Sequence, residues 1–329
     1  MAKISDSAQI RKIFVIGPSN IGDAVLATPV ISFLRERFPS SKLDVLVGPR
    51  PLPLFVNSAT VDEIVLFDKT ISWFEKAKLV WALRKKKYDL VIDLRYSAIP
   101  FFLWPRYRTS FFMENLSVSM RERYLDRIRP LFSLGHAQNN FNFFNAIEKE
   151  ATLRKLMQKS GRSITNDFVV LAPGAGSSLK CWTLTGFGRL IRYFDEIEKP
   201  VVLVGGEAEM ELGRELEQPN SKSPINLIGM LTLRELSGLL HEACLVVTND
   251  SSVMHLSHEL NRPTVSIFGP TNEERYGRTG ERFRTVRLHL DCTPCEEPRC
   301  RLERRVCLDD LPPELVIQAC EELLAYATH

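Results

Sequence analysis

At 329 residues the chain is longer than one hydrophobic core usually fills, so two domains are expected. Hydrophobic residues make up 44% and charged residues 25%, the balance of a soluble globular protein, and a formal net charge of +3 gives no case for a nucleic-acid partner. No apolar run reaches the roughly 18–20 residues of a membrane span, and the start, MAKISDSAQIRK, lacks the apolar core of a signal peptide. A cytoplasmic location is therefore expected, where seven cysteines read as thiols or metal ligands before disulfides.

Lys12 to Ile16 reads as a first strand. The following GPSNIGDAVLATPV has neither the GxGxxG of a dinucleotide site nor the GK[ST] of a P-loop. A helical pattern begins at Asp23, and Thr28-Pro29 is suited to restart it as N-cap and first helical residue. Leu43 to Val47 and Glu63 to Phe67 read as strands, Ile71 to Lys87 as an amphipathic helix with a basic end, and Asp89 to Leu94 as a buried strand. Strand and helix alternate, which means a parallel sheet with right-handed crossovers.

From Phe101 to Phe144 the pattern loosens. Arg106, Arg108, Arg121, Arg123, Arg127 and Arg129 are interleaved with Trp104, Tyr107, Phe111, Phe112 and Tyr124. Such a band suits an anionic acceptor, since guanidinium forks match phosphate and carboxylate and aromatic faces suit sugars or a lipid interface; it also suits an ordinary solvated surface. Asn139 to Lys159 looks helical, and the polar Gly161 to Asp167 reads as a linker.

Phe168 to Leu171 is a buried strand running into Pro173, Gly174, Gly176, Ser177, Ser178 and Lys180, with a helix from about Thr183 to Ile197. A Gly/Ser loop between a strand and a helix N-terminus is an anion site, because free N–H groups and the helix dipole both favour negative charge. Gly176, Ser177, Ser178 and Lys180 are thus candidate diphosphate contacts, unless the serines only shape the turn. Val201 to Val204 ends in Gly205-Gly206-Glu207, where a carboxylate suits a ribose diol or merely a first-turn helix position. Leu227-Ile228 is a candidate short strand, and Thr232 to Glu235 fits a capping box opening a helix to His241. Cys244 to Val247 leads into Asp250, Ser251 and Ser252, another strand-to-helix turn aimed at an anion; His255 falls one helical turn past Ser251, and His258 reads as a packed residue. Thr264 to Phe268 is a last strand, and Pro313 to about Ala327 a last helix.

Cys292, Cys295, Cys300 and Cys307 form C-x2-C-x4-C-x6-C. Clustered thiols in a reducing compartment suit a structural tetrahedral metal, Zn first and Fe second, against unmetallated thiols; Cys181, Cys244 and Cys320 read as packing residues. Two open sheets on a short linker place ligands at the carboxyl ends of their strands, and Asp23, Lys180, Glu207 and Asp250 all fall there.

The segments IGDAVLATPV, YDLVIDL, APGAGSSLKCW, VVLVGGEAE, VVTNDSSVMHLSHEL and IFGPT, in this order, resemble the heptosyltransferases of glycosyltransferase family 9. The resemblance implies the GT-B class, two Rossmann-like parallel-sheet domains facing a cleft. The expected division is 1–160 for the acceptor, 161–312 for the nucleotide sugar, and a helix, 313–329, packing back towards the first domain. It implies inverting transfer of heptose from an ADP-heptose donor to an anionic, lipid A-linked lipopolysaccharide core acceptor. Peripheral contact with the cytoplasmic face of the inner membrane goes with such an acceptor.

Under this resemblance Asp23 is the candidate general base, against a plain helix cap, and Lys180 neutralises the leaving ADP. Asp250, Ser251, Ser252 and His255 complete the donor side with Glu207; Ser252-Val253 stand where the family usually has Gly-Pro. No DxD-like pair occupies a promising loop, so no catalytic metal is expected. Rival readings are a nucleotide-sugar epimerase or hydrolase, which needs no acceptor, and a binding protein without turnover.

Overall fold

The computed structural model describes residues 4, 9–111, 117–132, 149–160, 167–217 and 224–327. The chain divides into two compact units, 1–143 and 144–329. Residues 161–166 of the linker expected at Gly161 to Asp167, and 139–148 of the helix expected over Asn139 to Lys159, lie outside the described residues.

In the first unit the described elements are β1 (Lys12–Ile16), α1 (Ile21–Arg37), β2 (Lys42–Val47), α2 (Leu52–Phe55), β3 (Glu63–Leu66), α3 (Trp73–Lys85), β4 (Leu90–Asp93), α4 (Ile99–Leu103), β5 (Tyr107–Arg108) and α5 (Met120–Asp126). The strands pair in the order β3-β2-β1-β4-β5, all parallel. β1 and β4 are covered on both faces, which is why they read as unbroken apolar runs rather than alternating ones. Strand order reverses between β1 and β4, so this unit's crevice opens where α1 begins and where the loop after Asp93 leaves the sheet.

Thr28-Pro29 does not restart a helix: α1 runs through it. A proline at 29 cannot donate to the carbonyl of residue 25, but the Thr28 hydroxyl donates to that Val25 oxygen at 2.7 Å. The acceptor left over by the proline is thereby satisfied, which removes much of the usual cost of about 3 kcal/mol. The helix expected from Ile71 starts at Trp73, because Ser72 and Glu75 close a reciprocal capping box.

The second unit contains α6 (Lys149–Ser160), β6 (Val169–Ala172), α7 (Leu184–Glu196), β7 (Val201–Leu203), α8 (Met210–Leu216), β8 (Ile225–Asn226), α9 (Leu233–Glu242), β9 (Leu245–Asn249), α10 (Ser252–Glu259), β10 (Thr264–Ile267), α11 (Glu273–Tyr276), β11 (Phe283–Val286), α12 (Val306–Asp309) and α13 (Pro313–Ala327). Its six parallel strands run β8-β7-β6-β9-β10-β11 across the sheet, the doubly wound order with its switch point between β6 and β9. Residues 149–160, placed in the first domain by sequence, belong with this unit: the Thr152 hydroxyl donates to the Glu235 carbonyl of α9 at 3.0 Å. α13, expected to reach back towards the first domain, buries Val316, Cys320 and Leu323 in the second unit's core beside Trp182 and Leu308. The short strand expected at Leu227-Ile228 is β8, two residues earlier.

Candidate active site

The β6 and β9 carboxyl ends are tied together by one buried side chain. Asn249, the last residue of β9, accepts from the Trp182 amide at 3.0 Å and donates to the Pro173 carbonyl at 2.7 Å. It therefore holds both ends of the Pro173–Trp182 loop at the switch point. Within that loop Ser177 caps a single 3-10 turn, Ser178–Lys180, by accepting from the Leu179 amide at 3.3 Å. Ser177 does shape the turn, then, while Gly176 and Ser178 face solvent.

The helix expected from about Thr183 is α7, with Thr183 as its N-cap, and a 3-10 turn lies between it and the glycines of the loop. Ser177, Ser178 and Lys180 therefore sit in or beside that turn rather than on the first turn of α7. The Thr183 side chain accepts from the Gly186 amide at 3.1 Å, and the Trp182 amide is taken by Asn249. The first turn of α7 thus has its donors partly spent within the protein. Free amides come instead from α10, whose N-cap Ser251 makes no side-chain capping bond and whose helical ladder starts only with His255 N–H to Ser251 at 3.3 Å.

Lys180 and Asp250 meet across the switch point. The Lys180 ammonium donates to Asp250 Oδ2 at 2.7 Å; the carboxylate is buried, whereas the lysine side chain is 31% exposed. This pairing explains a carboxylate beside a proposed phosphate, since it aims the ammonium rather than meeting an anion bare. The same ammonium lies 5.6 Å from the centre of the Tyr276 ring, and that ring lies 6.4 Å from the buried His255 ring between centroids. Ser251 is oriented by Thr248, their hydroxyls 3.0 Å apart. A cavity of about 360 Å³ opens beside Lys180, lined also by Ser177, Thr271, Arg275 and Tyr276.

Three contributors escaped the sequence reading besides Asn249. Tyr276 gives the lysine its aromatic neighbour. Glu209, rather than the exposed Glu207, is the carboxylate that turns back into the fold: it accepts from the Gly206 amide at 2.7 Å and crowds Gly174 so closely that a β-carbon there would stand 1.8 Å from its oxygen. Burial raises its carboxyl above the ordinary glutamate range. Its signal was present as a Gly206-to-Glu209 spacing of a helix-start box. Arg305 donates to the carbonyls of Ser178 and, at 2.8 Å, of Cys181, so the cysteine-rich segment is fastened to the Pro173–Trp182 loop.

His258 is a packed residue: its ring lies against Phe283 and its Nε2 is 3.2 Å from the Ser266 hydroxyl. Full burial holds it well below the ordinary histidine range, hence neutral. Asp309 and Asp310, adjacent acids, are paired with Arg305 and Arg304. The four clustered cysteines all line one small cavity of about 30 Å³ with Leu179 and Arg305. Burial, and then the neighbouring Cys300, Cys292 and Cys295, raise the Cys307 thiol. Among the described residues, no three of His, Cys, Asp and Glu stand close enough to hold a metal ion as they are.

In the first unit Asp23 is the third residue of α1 rather than its cap, which is Asn20; the Asn20 amide donates to Asp23 Oδ2 at 3.2 Å. Of the four candidate acceptor arginines, Arg106 is exposed and lies 5.2 Å from the Tyr107 ring, and Arg108 is 4.1 Å from Phe101. Arg121 is buried next to Glu122 at 3.4 Å, and Arg123 donates to the Ser117 carbonyl at 2.8 Å. Phe112 lies outside the described residues.

Residues 76–305, more than half the chain, match glycosyltransferase family 9 (heptosyltransferase). The chain belongs to glycosyltransferase family 9. This family 9 enzyme is 29% identical to the lipooligosaccharide heptosyltransferase 2 of Campylobacter jejuni, over 95% of this chain and 98% of that one. The fold of the E. coli ADP-heptose LPS heptosyltransferase II matches at a TM-score of 0.78 and 24% identity, covering 97% and 100% of the two chains. A glycosyl transferase family 9 structure from Veillonella parvula matches at a TM-score of 0.80 and 20% identity, covering 98% and 100%. The family 9 chain is thus a glycosyltransferase of GT-B type, with two parallel-sheet α/β units.

Proposed function

We propose that this enzyme moves a heptose from ADP-heptose to an anionic, lipid-linked lipopolysaccharide core acceptor, inverting the anomeric centre. The observation that carries the donor half is the Lys180–Asp250 pair at the β6/β9 switch point, beside the uncapped start of α10. An acceptor oxygen attacks the anomeric carbon while the bond to the ADP oxygen breaks. Lys180 and the α10 amides meet the charge that grows on the departing diphosphate. Asp23 takes the acceptor proton. Ser177, Ser178 and Gly176 border the diphosphate, the Gly205–Glu209 turn with Glu207 takes the ribose, and Ser251, Ser252 and His255 complete the donor side. Arg106 and Arg108 are the acceptor arginines best presented for phosphate or carboxylate; Arg121 and Arg123 would act through the α5 surface they brace.

The test is transfer itself: purified enzyme, ADP-heptose and a heptose-deficient core acceptor, with products followed by mass spectrometry. The reading requires a heptosylated core formed only when the acceptor is present. Release of free heptose or of an altered ADP-sugar from donor alone, with no core product, would put the chain among hydrolases or epimerases.

The relatives act on lipopolysaccharide or lipooligosaccharide by name, and no helix among the described residues is long and apolar enough to cross a membrane. A peripheral site of action on the cytoplasmic face of the inner membrane fits that acceptor. For Cys292, Cys295, Cys300 and Cys307 we propose a structural Zn or Fe ion. The support is four thiols around one cavity, which would have to close by a short rearrangement for tetrahedral ligation, and Arg305 would pass that rigidity to the phosphate loop. Protein purified under reducing conditions should then carry close to one Zn or Fe per chain by elemental analysis. A substoichiometric trace that survives no desalting step rejects the metal.

A further inference from the structure

The sequence of α3 puts apolar side chains on two opposite faces. Leu79, Val80 and Leu83 turn inward to Phe14, Leu46 and Val91. Outward stand Trp73, Phe74 and Trp81, which are 78%, 67% and 60% exposed. On the neighbouring α4 and just past its end, Phe102 and Trp104 are 58% and 74% exposed. The Arg84 guanidinium of α3 lies 4.1 Å from the centre of the Trp104 ring, so Trp104 adjoins the outer face of α3. Contiguous exposed apolar area of this kind marks a surface that something else covers.

The charge around the patch says what that is. Helical spacing lines up Phe74, Lys78, Trp81 and Lys85 along α3, and the Lys85 ammonium lies 3.3 Å from the Trp81 ring. The stretch Lys69 to Lys87 holds seven Lys and Arg against the single acid Glu75, and six of them remain once Lys86, paired with Glu63 and Asp44, is set aside. Protein interfaces are depleted in lysine at their centres. Rings interspersed with long cationic side chains, on a helix lying flat against its domain, are instead the composition of a membrane-surface helix, rings among the headgroups and ammonium groups at the phosphates.

We propose that the outer face of α3 and α4 docks on an anionic phospholipid surface. The proposal deepens the reading of a lipid-linked acceptor, which needs the enzyme at such a surface, and it is tested without donor or acceptor so that the two can fail separately. The full chain is sedimented with phosphatidylcholine vesicles, with and without phosphatidylglycerol. It should pellet with the anionic vesicles at low salt, stay in the supernatant with the neutral ones, and be released by added salt. Removing two charges by Arg84→Gln with Lys85→Gln should weaken partitioning by about 25-fold, roughly fivefold for each charge. Trp73→Gln with Trp81→Gln should weaken it while leaving the thermal melt unchanged, since both rings are exposed. The idea is overturned if the wild-type chain stays soluble with anionic vesicles, or if the variants pellet as it does. It is equally overturned if light scattering shows a dimer that these substitutions convert to monomer, because the patch would then be a contact between copies.

Discussion

Lys180→Ala should lower kcat/KM for ADP-heptose by about 10²- to 10³-fold, the usual loss when one preorganised group facing a leaving anion is removed. The geometry makes the cost twofold. Lys180 is aimed by Asp250 at 2.7 Å, so its ammonium needs no reorganisation when the diphosphate departs. Deleting it also strands the Asp250 carboxylate, buried to 3% side-chain exposure, at the place where anionic charge must grow. A buried polar group left without its partner costs about 1–3 kcal/mol, so the melting temperature should fall as well. The two effects separate in a double variant. Asp250→Asn in the Lys180→Ala background removes the stranded charge and should return most of the stability without returning the rate. Lys180→Arg should keep the charge but, with a planar fork in place of a compact ammonium, recover only part of the rate. Should Lys180→Ala transfer heptose at near wild-type efficiency, the assignment of this switch point to the diphosphate is wrong.

The residues that form this pair were legible in the sequence, and the pair was not. Lys180 and Asp250 each follow a strand, but 70 positions separate them. Only the strand order, with β9 beside β6, brings them together. The same order makes Asn249 the clasp of the Pro173–Trp182 loop, a role that a polar residue between Thr248 and Asp250 does not announce. Local signals did better where the physics is local: the Thr232–Glu235 capping box stands as expected. They failed where a compensating contact lay within one turn. Thr28 rescuing the carbonyl opposite Pro29 keeps α1 whole, and a capped 3-10 turn at Ser178–Lys180 lies between the glycines and an α7 that starts where expected. The exposure of Trp73 and Trp81 was hidden because an apolar residue in a helical pattern is read as facing inward, whereas α3 already has its inner face filled by Leu79, Val80 and Leu83.

Asp23→Asn should abolish most transfer while leaving the donor bound. The substitution keeps shape and the capacity to accept the Asn20 amide, now 3.2 Å away, and removes only the basicity. A positioned carboxylate that takes a proton in the transition state contributes about 10²- to 10⁴-fold, so kcat should fall in that range with ADP affinity unchanged by calorimetry. The competing account treats Asp23 as a first-turn acid complementing the dipole of α1, worth about 0.3–1 kcal/mol. The two accounts predict opposite readouts. A dipole role lowers the melting temperature by a degree or two and spares kcat, whereas a base role spares the melt and collapses kcat. Its position supports the second: Asp23 lies in the first turn of the helix that leaves β1, where this sheet reverses its strand order beside β4 and presents the carboxyl ends of both strands. A normal kcat in Asp23→Asn, with the expected small loss of stability, would move the base to another carboxylate and leave Asp23 as part of the helix start.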